Sequence, residues 1–315
     1  MTAPVQVPPV VPPVIPPADA SAENLRGMAL MIFSMGVFIL NDTLTKTAAL
    51  EIPAGQVVVM RSIFATVLLL VAVAATSGIK ALLISYSRPI LIRNLCEICS
   101  ILLYLSALFR LPIANVTAIL QMLPLAMTAV AAIFLGERIG WRRWTAAAVG
   151  LIGVALIMRP GTTAFSWWYV SAFIAVGFIA ARDVVTRFID RATPTLVVTF
   201  YTAAVGIVGG ALLGVNETWV TPRWITVGQL ALASVLVVLG YYTLIESWRT
   251  GEVSAVAPFR YSVVLWAILF GWLLLGEVPD GYMLAGSAIV VAAGSYTFLR
   301  EQHLAREARR RRAAG

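Results

Sequence analysis

Charge, histidine and cysteine are scarce in this 315-residue chain, and each scarcity excludes something. Only 12% of the residues are charged, about half the share usual in a soluble domain. The single histidine is His303, and no clustered set of metal ligands stands beside it. Two cysteines, Cys96 and Cys99, are too few for a disulfide framework; three apart in an apolar run, they read as small buried side chains. No glycine loop followed by lysine offers a phosphate cradle, which argues against an ATP-driven pump, and no nucleophile elbow is present. No cofactor is expected, and an enzyme is disfavoured because acids and histidine do not gather in one place.

What the chain has in excess is apolar residues, 60% of the total and spread over its whole length. A soluble core cannot hide that much; a bilayer can, at roughly 20 residues per crossing. Continuous apolar runs, rather than alternation over ten residues, predict helices and not a barrel. The runs fall at 25–47, 54–77, 89–109, 113–135, 143–159, 168–188, 195–214, 224–247, 253–275 and 281–299. Trp141, Trp144, Trp167, Trp168, Trp219 and Trp224 lie at the ends of these runs and read as interfacial anchors. Gly206, Gly210 and Gly214 form a small-residue ridge suited to close helix packing.

The net charge of +8 is placed by topology and does not imply nucleic-acid binding. With ten crossings, the side of the N-terminus carries Arg26, Lys80, Arg88, Arg138, Arg142, Arg143, Arg187, Arg191, Arg249, Arg300 and the Arg306–Arg312 cluster. The other side carries only Lys46, Arg110, Arg159 and Arg223. The positive-inside rule then puts both termini in the cytoplasm. Residues 1–24, rich in Val-Pro pairs, read as a disordered cytoplasmic tail, and 301–315 as a basic tail that touches anionic lipid.

Between the tails the chain repeats itself. Gly36-Val-Phe-Ile-Leu-Asn-Asp42-Thr-Leu-Thr45-Lys46 recurs about 141 residues later as Gly177-Phe-Ile-Ala-Ala-Arg-Asp183-Val-Val-Thr186-Arg187. Pro53 matches Pro194, Leu135-Gly136-Glu137 matches Leu275-Gly276-Glu277, and Gly153 matches Gly294. The repeats occupy 25–160 and 161–300. Five crossings per repeat is an odd number, so the second repeat starts on the opposite side of the membrane. The expected fold is therefore all-α: ten transmembrane helices in two inverted five-helix repeats around a central cavity, an arrangement suited to alternating access.

Five-plus-five spans, the glycine-to-charge motif in spans one and six, Arg61 in span two and Leu-Gly-Glu after spans four and nine together resemble the drug/metabolite transporter superfamily. The resemblance is to its EamA type, and within that the chain is similar to the YddG-type amino-acid exporters. It covers all but the tails. It implies a multi-pass protein of the bacterial inner membrane that moves a small organic solute without ATP, an amino acid or related metabolite, with efflux as the expected direction. Uptake of a nucleoside-like metabolite such as S-adenosylmethionine is the alternative; a membrane-embedded enzyme or a channel is the alternative of another class. Partners are then the solute and membrane lipid, and the protein is expected as a monomer or weak homodimer.

Polar residues within the runs are costly and need a reason. Asp42 and Lys46, four apart, are expected to pair on one helix face; Arg61 is expected to partner Asp42. Arg182, Asp183 and Arg187 hold the equivalent place in span six. These residues either order helix ends or gate the cavity. In span three Arg93, Glu97, Ser100 and Tyr104 share one face, with Arg93–Glu97 as an internal ion pair or Glu97 on the path, where it would carry a proton. In span four Thr117 and Gln121 share a face and Pro124 frees a backbone carbonyl near Leu120. Span nine carries Arg260, read as too deep to snorkel and first choice for binding a carboxylate, with Tyr261 and Trp266 available to stack on solute.

Overall fold

The computed structural model describes residues 18–84, 87–135, 141–186, 188–190, 192–250 and 253–314, and these are helical with short connections. In order the helices are α1 (Ala18–Ala48), α2 (Ala54–Thr76), α3 (Lys80–Ile84), α4 (Arg88–Leu108), α5 (Ile113–Leu120), α6 (Leu123–Leu135), α7 (Trp141–Met158), α8 (Trp167–Thr186), α9 (Thr195–Leu213), α10 (Trp224–Thr250), α11 (Val253–Val256), α12 (Ser262–Leu275) and α13 (Gly281–Ala314). A 3₁₀ turn, Ala257–Tyr261, joins α11 to α12. Seven helices are long and apolar enough to cross a membrane, and shorter apolar helices, Ile113–Met127, Trp144–Met158 and Gly281–Tyr296, occupy the fourth, fifth and tenth expected runs.

The boundaries follow from local chemistry. Prolines 53, 112 and 194 stand at the N-caps of α2, α5 and α9, where a missing N–H costs nothing. Gly276 ends α12 in the left-handed region at φ 67°, its N–H returning to the Trp272 carbonyl while the Glu277 N–H returns to that of Gly271. Two boundaries differ from expectation. α1 begins at Ala18, so 18–24 are helical and not part of an extended tail; residues 1–17 lie outside those described. The last helix runs on to Ala314, carrying the basic segment as a helical extension.

The halves interlock. α1 packs on α10 and α12; α8 packs on α4 and α6. α4 also touches α9 and α10 touches α2, while α2 lies along α9 and α7 along α13. Exchanging each helix for its counterpart in the other repeat reproduces this list. The extensive contacts thus run between repeats, so each helix group that forms is a mixture: α1, α10 and α12 in one, α4, α6 and α8 in the other.

Two self-paired contacts rest on glycine. A Cβ on Gly55 would stand 2.3 Å from the Gly214 Cα, and one on Gly153 would stand 2.8 Å from the Gly286 carbonyl oxygen. The ridge Gly206–Gly210–Gly214 does pack closely, against Ser62, Val58–Val59 and Gly55 of α2.

Ties between helix ends show which ends share a face. The end of α1 reaches the end of α12 and the start of α5 through Lys46 and Glu277. The start of α2 meets the α9–α10 connection through Gly55–Glu217 at 2.8 Å and Thr226–Glu51 at 2.6 Å. The end of α7 meets the start of α13 through the Arg159–Asp280 ion pair. Arg110 lies 4.1 Å over the ring of Trp168, at the start of α8. So α1 ends on the face where its counterpart α8 begins. Burial tends to raise the Asp280 carboxyl, but the Met283 N–H and the Arg159 guanidinium outweigh it and hold Asp280 below the ordinary carboxylate range. The six expected tryptophan anchors are exposed.

Candidate functional site

Three polar clusters sit among these helices, and each is built differently. The first lies at the end of α1. Gly276, in its left-handed turn, swings Glu277 back toward the N-terminus of α5, where one carboxylate oxygen accepts the Ile113 N–H at 2.7 Å. That N–H has no intrahelical partner, and the helix dipole favours an anion there. The other oxygen accepts from the Lys46 ammonium, which also donates to the Leu111 carbonyl. Glu277 thus joins α1 to the α4–α5 corner. Lys46 is therefore not the partner of Asp42: the i, i+4 proximity on one helix loses to a carboxylate from the other repeat.

Asp42 belongs to the second cluster. Its carboxylate accepts the Tyr104 hydroxyl of α4 at 2.6 Å and the Asn41 side-chain amide at 2.9 Å. Arg61 of α2 stands within electrostatic reach of both Asp42 and Tyr104. Among the described residues no ion pair joins Arg61 to Asp42. The Arg61 Nε and the Asn41 Oδ1 are buried without a hydrogen-bond partner. The expected Asp42–Arg61 pair is thus an approach that stops short of contact.

The third cluster is centred on Arg182. Its guanidinium binds Glu97 at 2.7 Å and Asp183 at 2.8 Å, tying α4 to α8. Arg93 is not the partner of Glu97. It donates to the hydroxyls of Thr186 at 3.1 Å and Thr202 at 2.5 Å, linking α4 to α8 and α9. Here too a residue far along the chain displaces the neighbour one turn away. Tyr241 of α10 stands within electrostatic reach of Arg182 and Glu97 and packs edge-on against Phe38 at 5.0 Å. Arg187 lies outside the described residues.

The helix interruptions supply the remaining polar groups. Pro124 has no N–H to give the Leu120 carbonyl, and α5 stops there; Gln121 and Met122 donate to Ala118 and Ile119 in tighter turns before α6 begins. By the Leu-Gly-Glu register, Gln121 corresponds to Tyr261, the last residue of the 3₁₀ turn, so both repeats break at the same place. The Gln121 amide donates to the Thr117 carbonyl at 3.1 Å. The hydroxyls of Thr43, Thr45, Thr47, Thr66, Thr202 and Thr243 each donate to the carbonyl four residues back. Thr117 departs from that habit: 2% exposed, its hydroxyl has no partner, and Ser262 beside the second break shares the condition.

The span-nine residues fall differently from expectation. Arg260 sits exposed in the 3₁₀ turn at the start of the membrane-length segment Pro258–Leu275, not deep within a continuous helix. Tyr261 lies against Gly294 of α13, leaving no room for a Cβ there. Trp266 donates its ring N–H to the Ile32 carbonyl at 2.9 Å and stacks on Phe270, so it fastens α12 to α1. Sequence reasoning missed the bond from the Asn41 amide to Asp42 and the capping role of Glu277; the repeated Leu-Gly-Glu was the available signal for the second.

Comparison with known proteins agrees with this architecture. The model of the EamA-like transporter family matches residues 25–159 and again 166–299. The pseudopaline exporter CntI of Pseudomonas aeruginosa is 26% identical over 85% of this chain and 94% of its own length. The S-adenosylmethionine uptake transporter of Rickettsia prowazekii is 25% identical over 90% of this chain and 96% of its own. The riboflavin transporter of Rhizobium johnstonii is 25% identical over 73% and 76%. A solved crystal structure, 19% identical, shares the fold with a TM-score of 0.59 over 89% of this chain and 99% of that one. With two family matches covering most of its length, packed as reciprocal repeats, the chain belongs to the EamA-like transporter family.

Proposed function

We propose that the protein carries a small organic solute, an amino acid or related metabolite, outward across the bacterial inner membrane by alternating access. The reading includes ten crossings in two inverted five-helix repeats and both termini in the cytoplasm. The observation that carries it is the reciprocal packing: α1 on α10 and α12, α8 on α4 and α6. Two groups related by exchange of repeats can trade conformations, and that trade turns an inward-open state into an outward-open one. Tyr104–Asp42 joins the two groups, and Lys46–Leu111 and Ile113–Glu277 tie α1 and α12 to the α4–α5 corner, on the side where α1 ends. In the proposed orientation that side is periplasmic, and the conformation is closed there. Solute would meet Tyr104, Thr117 and Gln121 between the groups, with Arg260 and Tyr261 nearer the cytoplasmic mouth. The hold of Arg182 on Glu97 removes the free carboxylate that a proton-carrying role needs, which favours facilitated movement over coupling through Glu97. Uptake is the second reading, favoured by the likeness to S-adenosylmethionine uptake transporters.

Trans-stimulation in proteoliposomes tests the carrier. Unlabelled solute on one side should accelerate entry of labelled solute from the other, as a rocking site requires and a pore does not. Flux that ignores the trans side would replace the carrier with a channel. Thiol labelling that put positions 80 and 249 on opposite faces would overturn the topology.

A further inference from the structure

We infer that Asp42, Asn41 and Arg61 form a two-ended seat for a zwitterionic head group: an ammonium held by Asp42 and the Asn41 carbonyl oxygen, a carboxylate held by Arg61. The inference rests on the carrier reading and names the chemistry of its solute.

Among the described residues Asp42 accepts only neutral donors, the Tyr104 hydroxyl and the Asn41 amide, although a carboxylate has room for about four hydrogen bonds. Beside it the Asn41 Oδ1, in a residue 3% exposed, accepts nothing. Across the α1–α2 contact the Arg61 Nε donates to nothing, although its charge is felt by Asp42. Unpartnered polar atoms are expensive in a membrane-buried site, because no lipid group repays them. If the cluster were only structural, the cheapest solution would be collapse into an ion pair. The Arg182 cluster takes that solution, its guanidinium bound to two carboxylates. The Asp42 cluster instead keeps unused acceptors at one end and an unused donor at the other, with opposite charges held apart. Asp42, Arg61 and Tyr104 are half-buried, so each keeps part of its surface open. An ammonium and a carboxylate on one small molecule satisfy both ends at once and leave the net charge of the site unchanged. Since Asp42 lies on α1 and accepts the Tyr104 hydroxyl of α4, the seat stands where the two helix groups meet.

The test uses purified full-length protein in proteoliposomes. Uptake is measured for the standard α-amino acids, their decarboxylated amines and their deaminated acids. Zwitterions should move, and loss of either charged group should lower uptake more than about tenfold, as when a site built for a polar partner meets an analogue lacking it. Asp42→Asn, nearly isosteric, should abolish the preference of zwitterion over acid, and Arg61→Gln the preference over amine. The wild-type comparison stands alone if a variant fails to fold. Trans-stimulated transport of amines, acids or other metabolites with zwitterions ignored would sink the seat and spare the carrier. Absence of any trans-stimulated flux across a wider metabolite library would remove both.

Discussion

Asp42 and Asp183 hold the same place in a duplicated motif, yet the protein uses them in opposite ways. Asp183 is gripped by Arg182, which also holds Glu97, and Arg93 stands within electrostatic reach of both carboxylates, so the charges of that region are balanced inside one helix group. Asp42 has hydroxyl and amide partners, a nearby arginine that does not close on it, and a position between groups. The glycines that open the two motifs diverge as well. A Cβ on Gly36 would stand 2.9 Å from the Trp266 ring, whereas one on Gly177 meets nothing within 4 Å. Duplication supplies two equivalent frames; what each frame does depends on which residues the other repeat brings to it.

The sharpest way to break this comparison is to remove the central cation of the closed network. Arg182→Gln leaves Glu97 and Asp183 without their charge partner, a loss of about 3–5 kcal/mol for a buried pair. The melting temperature in detergent should fall steeply. Asp42→Asn, by contrast, should change stability by about 1 kcal/mol or less while the preference for zwitterion over acid is lost. Equal melting temperatures for the two variants would erase the distinction between lock and seat.

Next in size is the tie between the groups. Lys46→Met frees α1 from Glu277, which keeps its Ile113 bond. In a background with Cys96 and Cys99 replaced by serine, a cysteine at Thr45, fully buried in the structure, should then react faster with a membrane-impermeant thiol reagent. An unchanged labelling rate would mean that Lys46 does not hold that face shut. The smallest effect concerns the glycines. Gly36→Ala should destabilise by roughly 1 kcal/mol or more through overpacking against Trp266, and Gly177→Ala should stabilise by up to about 1 kcal/mol through helix propensity. Matched thermal unfolding of the pair reads both signs.

The helix runs were legible because hydropathy is a property of consecutive residues. Prolines 53, 112 and 194 marked starts, and Pro124 marked the break after Leu120 as its missing N–H requires. The glycine ridge announced close packing for the same local reason. Pairing was not legible. Asp42–Lys46 and Arg93–Glu97 are neighbours on their helices, but i, i+4 proximity is worth only about half a kcal/mol. A buried partner from another helix that excludes water outweighs it, as Glu277 does for Lys46 and Arg182 for Glu97. The 3₁₀ turn that leaves Arg260 exposed was not legible either, since an apolar run does not show where its helix tightens.

By itself, then, the order of residues determined that the chain is a membrane-embedded helical duplication, since apolar periodicity and a repeated motif need no third dimension to be seen. Tertiary structure alone decided which helices pack together, which carboxylate is locked and which is left open. Those outcomes depend on the free energy of burying one charge beside another, and that is fixed only when distant helices come into contact.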